Sequence, residues 1–130
     1  MPIPIEYTID IPRRFILTTA SGEVTTPEVM NHQNRLMRDP FFDPTFSQLV
    51  DFSSVTRVAI PSEDFRLLAT RNFFGPQARR CLVGPTSEMF GMARMFQIFR
   101  EVNGAPEQIR VFRDREEALL WLFGDDESYG

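Results

Sequence analysis

The stretch Phe46–Ala69, FSQLVDFSSVTRVAIPSEDFRLLA, decides the fold. Leu49, Val50 and Phe52 suit a covered strand, read over Gln48–Phe52. A loop is expected next, and then a helix opening at Ser62. The Ser62 hydroxyl is expected to cap that helix by accepting from a free N–H of its first turn. Glu63 and Asp64 sit where the helix dipole favours negative charge. Phe65, Leu68, Ala69 and Phe73 recur at helical spacing and give one apolar face. Gly75-Pro76 is the expected stop.

Upstream, Ile3, Ile5, Tyr7 and Ile9 alternate with Glu6, Thr8 and Asp10, which is strand patterning. Pro12-Arg13-Arg14 turns the chain into a second strand, Phe15–Ala20, paired with the first as a hairpin. Ser21-Gly22 is expected to end it. Thr26 and Pro27 open a helix, with Thr26 as the cap and Pro27 at the first helical position. Its inner face is read as Val29, Met30, Leu36 and Met37, and Asp39-Pro40 ends it. Phe41–Thr45 is a connection. Downstream, Ala78–Gly84 reads as a strand, and a helix runs from Pro85-Thr86-Ser87 to about Val102, stopped by Asn103-Gly104. Ile109–Phe112 is a short strand. Asp114 and Glu117 have capping-box spacing ahead of a last helix ending at Gly124. The order is β-β-α-β-α-β-α-β-α. It implies an α/β fold with a mixed sheet, largely parallel, an N-terminal hairpin at one edge and four helices as cover. One domain over residues 1–124 and a polar tail over 125–130 are expected.

The chain has 130 residues, the size of one ordinary domain, and 42% of them are hydrophobic, enough for a real core. Thirteen Phe make that core unusually aromatic. A net charge of −4 and a pI of about 5.0 argue against a general nucleic-acid binder. All 14 basic residues are Arg, which excludes Schiff-base and P-loop lysine chemistry. Cys81 is the single cysteine, so no internal disulfide forms, and a buried, inert thiol is expected. No apolar run approaches a membrane helix of about 18 residues. The N-terminus MPIPIEYTID lacks a secretory layout, so a cytoplasmic location is expected.

The element order, together with particular residues, resembles the STAS-like (anti-sigma-factor antagonist-like) bacterial domains. Ser21-Gly22-Glu23-Val24-Thr25 looks like their Gly-containing exit from the hairpin. Leu49-Val50-Asp51-Phe52-Ser53-Ser54-Val55-Thr56 is similar to their central strand, which usually ends in Asp. Val111-Phe112 and Glu116-Glu117-Ala118-Leu119-Leu120-Trp121-Leu122 resemble the end of the SpoIIAA-like branch. That branch is related in fold to CRAL-TRIO lipid-exchange domains. The resemblance covers about Tyr7 to Phe123. It implies that Ser62 stands nearest to the serine that accepts a phosphate in the regulatory members. Those members carry Asp-Ser-Ser-Gly there. This chain has Ile60-Pro61-Ser62-Glu63, whose neighbouring acids oppose an incoming phosphate.

Few residues offer chemistry. His32, the only histidine, lies on the first helix and is expected to be a partly exposed helix residue. A triad would need a nucleophile and an acid beside it, and one His with one Cys makes no structural zinc site. Asp51, Glu63 and Asp64 are candidates for a polar site at the sheet edge, where open α/β sheets gather ligands. The alternative is that they are solvated helix-start charges. Gly84-Pro85-Thr86-Ser87 reads first as a turn and cap.

The third helix is the most informative feature. Met89, Met92, Ala93, Met95, Phe96, Ile98, Phe99 and Val102 cover more than half its circumference, wider than the usual surface stripe. Met89, Ala93 and Phe96 are read as its core side and Arg94, Gln97 and Glu101 as its polar face. Met92, Met95, Ile98, Phe99 and Val102 are candidates for a homodimer contact or an apolar ligand pocket. The leading expectation is a non-catalytic interaction module that pairs with itself or another protein. The alternative is a carrier or sensor of a small apolar ligand such as an acyl chain. An enzyme ranks third, and no cofactor is expected.

Overall fold

The structure, a computed structural model, describes residues 4–127, with side chains through Gly124. Ile3 of the expected first strand and residues 128–130 of the expected tail lie outside the described residues. The elements are β1 (Ile5–Asp10), β2 (Phe15–Thr25), α1 (Thr26–Arg38), β3 (Ser47–Ala59), α2 (Ser62–Leu68), β4 (Arg79–Val83), α3 (Ser87–Val102), β5 (Gln108–Phe112) and α4 (Arg115–Glu127). The order matches the one read from the sequence. The five strands lie in the order β1-β2-β3-β4-β5. β1 pairs antiparallel with β2, and every other pair is parallel.

Period-two alternation sorts the strand side chains onto two faces. Phe15, Leu49, Cys81 and Val83 point to α4 and pack with Ala118. Ile16 packs with Leu36 of α1, Val24 with Val29 of α1, and Leu82 with Ala93 of α3. One helix therefore covers one face, while α1, α2 and α3 share the other.

Two strands outrun the sequence reading. β2 does not end at Ser21-Gly22, and Ser53–Ala59 is not a loop. Both continue side by side, with Glu23 opposite Arg57 and Thr25 opposite Ala59. Gly22, at a φ of +67°, sits between two register shifts, where a left-handed residue lets the strand bend and resume. Each extension satisfies the backbone of the other, so neither half announces itself locally. Val24 and Val55 close the buried side of this arm.

Helix boundaries also move. Thr25, not Thr26, takes the cap position of α1, and the Glu28 carboxylate accepts from the Thr25 N–H and hydroxyl at 2.9 Å each. His32, Gln33 and Leu36 form the buried face of α1, while Met37 is 44% exposed. Pro61 takes the cap position of α2, so Ser62 is its first helical residue and makes no capping bond. The helix is only seven residues long and stops at Leu68, well short of Gly75. At α3 the Thr86 hydroxyl caps by accepting from Met89 N at 3.1 Å. Gly84 lies under that first turn, where a Cβ would stand 2.8 Å from the Met89 carbonyl carbon. The last helix runs on past Gly124 to Glu127.

Candidate functional site: a cavity between the sheet and three helices

A cavity of about 100 Å³ lies between the sheet and α1, α2 and α3. Ala20, Val50, Phe52 and Leu82 form its floor, and Phe65 and Leu68 reach it from α2. Met89, Met92, Ala93 and Phe96 close it from α3. The lining is apolar except at one end, where Thr18, His32, Gln33, Gln48 and Arg80 gather.

That polar end is built by register. Ile16 lies opposite Gln48, and Gln48 lies opposite Arg80, so polar side chains project from one face of adjacent strands. Arg80 Nε donates to Gln48 Oε1 at 3.1 Å. Gln48 Nε2 donates to Thr18 Oγ1 at 2.9 Å, and Thr18 Oγ1 lies 3.3 Å from His32 Nε2. Gln33 adds its amide from α1, its oxygen accepting from Arg71 at 2.9 Å.

Behind Arg80 lies a buried ionic cluster. The Glu107 side chain is fully buried and holds two guanidinium groups. Arg100 Nη2 reaches Glu107 Oε1 at 2.6 Å and Oε2 at 2.9 Å, with Arg100 Nε at 3.3 Å from Oε2. Arg80 Nη1 reaches Oε2 at 2.9 Å. Arg100 also donates to Ala69 O, Arg71 O and Asn72 Oδ1, which ties α3 to the segment after α2. The Arg80 guanidinium lies 4.5 Å from the Phe74 ring centre and 5.8 Å from that of Phe96. Burial acts to raise Glu107, but Arg80 and Arg100 outweigh it and hold the carboxyl below its ordinary value. Burial pulls Arg80 down, partly opposed by Glu107.

His32 is buried, not partly exposed. Burial, with the charges of Arg35 and Arg80, pulls its imidazole down to about 4. It meets Thr18 and, among the described residues, no acid, so the surroundings weaken it as a base where a triad would strengthen it. Cys81 is fully buried, and burial pushes its thiol up to about 12. Among the described residues no three His, Cys, Asp or Glu gather into a group able to hold a metal ion.

The acids read as one polar site are not brought together. Asp51 lies on the α4 face, accepts from Ser53 N at 2.8 Å and pairs with Arg115 at 3.6 Å. Asp64 lies on the other face and accepts from Thr26 Oγ1 at 2.8 Å, while Glu63 is exposed. Of the α3 candidates, Met92 lines the cavity. Phe99 and Met95 are half-buried, and the Arg66 guanidinium sits 4.6 Å from the Phe99 ring centre. Ile98 and Val102 face outward, at 46% and 79% exposure. Gln97 does not belong to a polar outer face: it is buried and its Nε2 donates to Ile109 O at 2.9 Å.

Thr18, Gln48, Arg80, Arg100 and Glu107 were absent from the sequence-derived site. One signal was there. Arg100 continues the Met89, Ala93 and Phe96 stripe at helical spacing, so a charge was due on the buried side.

Among the described residues no helix is long and apolar enough to cross a membrane. No protein-family model matches the chain, and no curated protein matches it. Among solved structures it is similar to an uncharacterized protein of the DUF3478 family from Shewanella loihica PV-4, described as having a SpoIIAA-like fold. The two share 18% identity over 91% of each chain, with a TM-score of 0.59. At that identity the likeness is one of architecture, and this chain has a SpoIIAA-like fold.

Proposed function

We propose that this protein is a non-catalytic binding module that takes a small, largely apolar ligand into the cavity between the sheet and α1, α2 and α3. The observation that carries this reading is the cavity itself. Protein interiors are close-packed. A space of about 100 Å³ left between the sheet and three helices is therefore room for an occupant. Met89 and Met92 on its wall are side chains that adapt to irregular occupants. The size sets the class of ligand. An apolar cavity of about 150 Å³ takes benzene, so the occupant here is a short branched chain or a small ring. A long acyl chain would require the helices to separate.

The test is native mass spectrometry of freshly purified protein, followed by calorimetric titration with isovaleramide, a small neutral probe. Ala93→Met, which fills the cavity, is the control. Wild type should carry or take up the small molecule, and the filled variant should not. A bare wild-type chain that takes up neither isovaleramide nor the matching acid, isovalerate, would contradict the reading.

A second reading rests on the outward pair Ile98 and Val102. An apolar strip on α3 favours an interaction surface, and a two-fold contact is its commonest solution. Sedimentation of wild type against Ile98→Glu with Val102→Glu tests it. A dimer lost in the variant supports it, and a monomer in both removes it.

A further inference from the structure

We propose that the cavity recognises a carboxylic acid, whose carboxylate is held by Arg80 and Gln33 and whose short hydrocarbon part lies against Val50, Phe52, Met89 and Met92; this rests on the binding-module reading above. The argument is one of charge and donor accounting. Two buried guanidinium groups, Arg80 and Arg100, share one buried carboxylate, that of Glu107. That leaves one positive charge in excess within the cluster. The two arginines do not share equally. Arg100 holds Glu107 as a fork, and its remaining donors are taken by Ala69 O, Arg71 O and Asn72 Oδ1. Arg80 receives the remainder: one bond to Glu107 and one to Gln48.

A guanidinium has five N–H donors. Among the described residues, only Nε and Nη1 of Arg80 have acceptors, so Nη2 has none. Arg80 is 5% exposed, which keeps bulk water away, and it lines the cavity. A largely buried cation with a donor left open beside an apolar space suits an anion. The Gln33 amide is 5% exposed and also lines the cavity. Arg71 pins its oxygen, and among the described residues no acceptor meets its NH2 group. Two side chains with an open donor, one of them charged, therefore belong to the lining of one apolar chamber. A carboxylate takes guanidinium and amide donors together, through charge-assisted bonds.

The test compares isovalerate with isovaleramide, which has the same shape and no charge, by calorimetric titration at neutral pH. Isovalerate should bind wild type about tenfold or more tightly than the amide. Acetate, which offers the charge without the branched chain, should bind more weakly than isovalerate. In Arg80→Met the preference for the acid over the amide should disappear. If the amide binds wild type as tightly as the acid, the carboxylate proposal is overturned and the cavity remains a binding site. If acetate matches isovalerate, the hydrocarbon part plays no role and the proposal also falls. If neither acid nor amide binds, this inference and the binding-module reading fail together. The wild-type comparison stands even if Arg80→Met does not fold.

Discussion

Replacing Glu107 by Gln removes the one carboxylate that serves two buried guanidinium groups. Its side chain is fully buried, and those of Arg80 and Arg100 are 6% and 1% exposed. Removing one partner of a buried ion pair costs about 3–5 kcal/mol, because the other charge is left uncompensated. Here two charges lose their partner, so the upper part of that range applies, about 4–5 kcal/mol. Against a total stability of roughly 5–15 kcal/mol this is a large share. It corresponds to a fall in Tm of about 10–20 °C for a chain of this size. The companion variant is Arg80→Met. It leaves the Glu107–Arg100 fork intact and sets a flexible apolar side chain against Phe73, Phe74 and Phe96. Its cost should be no more than about 1–2 kcal/mol. Urea denaturation of both variants and of the double mutant reads this directly. The double mutant should be less damaged than the two single costs combined, since Arg80→Met removes one of the stranded charges. Equal costs for the two single variants, or a Glu107→Gln cost below about 1 kcal/mol, would refute the assignment of Glu107 as the shared counter-charge.

Stability should also fall between about pH 6.5 and pH 4 on account of His32. Its folded value of about 4 lies below the unfolded one, so in that window the unfolded chain binds a proton that the folded chain does not. The gap, at about 1.4 kcal/mol per pH unit, amounts to roughly 3 kcal/mol, and His32→Gln should flatten that part of a stability-against-pH curve. The depressed Glu107 carboxyl contributes stability that is present above the ordinary carboxylate range and lost as pH falls through its lower folded value. In Glu107→Gln this acid limb should shrink. Gly84→Ala should destabilise by roughly 1–3 kcal/mol, because its Cβ would meet backbone of α3, not a flexible side chain; thermal melts check it. Glu28→Ala removes the acceptor for Thr25 and should cost about 1 kcal/mol, whereas Ser62→Ala should stay within about 0.5 kcal/mol.

The element order, the mixed sheet and the hairpin edge were legible because alternation and helix punctuation are local signals. The β2–β3 arm was not, because Ser21–Thr25 and Ser53–Ala59 become strands only by pairing with each other across the chain. Ser62 was misread by one residue, since an extended Pro61 can take the cap position that a serine usually fills. The site was hidden for a related reason. Thr18, Gln48 and Arg80 each sit at an inward position among apolar neighbours, yet only the parallel register brings them to one end of one cavity. On α3 the inward side holds Gln97 and Arg100 as well as apolar residues, which side-chain polarity alone does not reveal. Their partners, Ile109 O and Glu107, lie on and just before β5, past the Asn103-Gly104 turn, where helical spacing no longer relates them to α3.

Xenon under pressure enters dry apolar cavities and is seen directly in a crystal. That makes a xenon-pressurised crystal structure the most direct measure of whether this chain has a binding chamber. The account places a xenon site among Val50, Phe52, Phe65, Met89 and Met92, and none in Ala93→Met. A wild-type structure with no xenon there, because side chains fill the space, would contradict it.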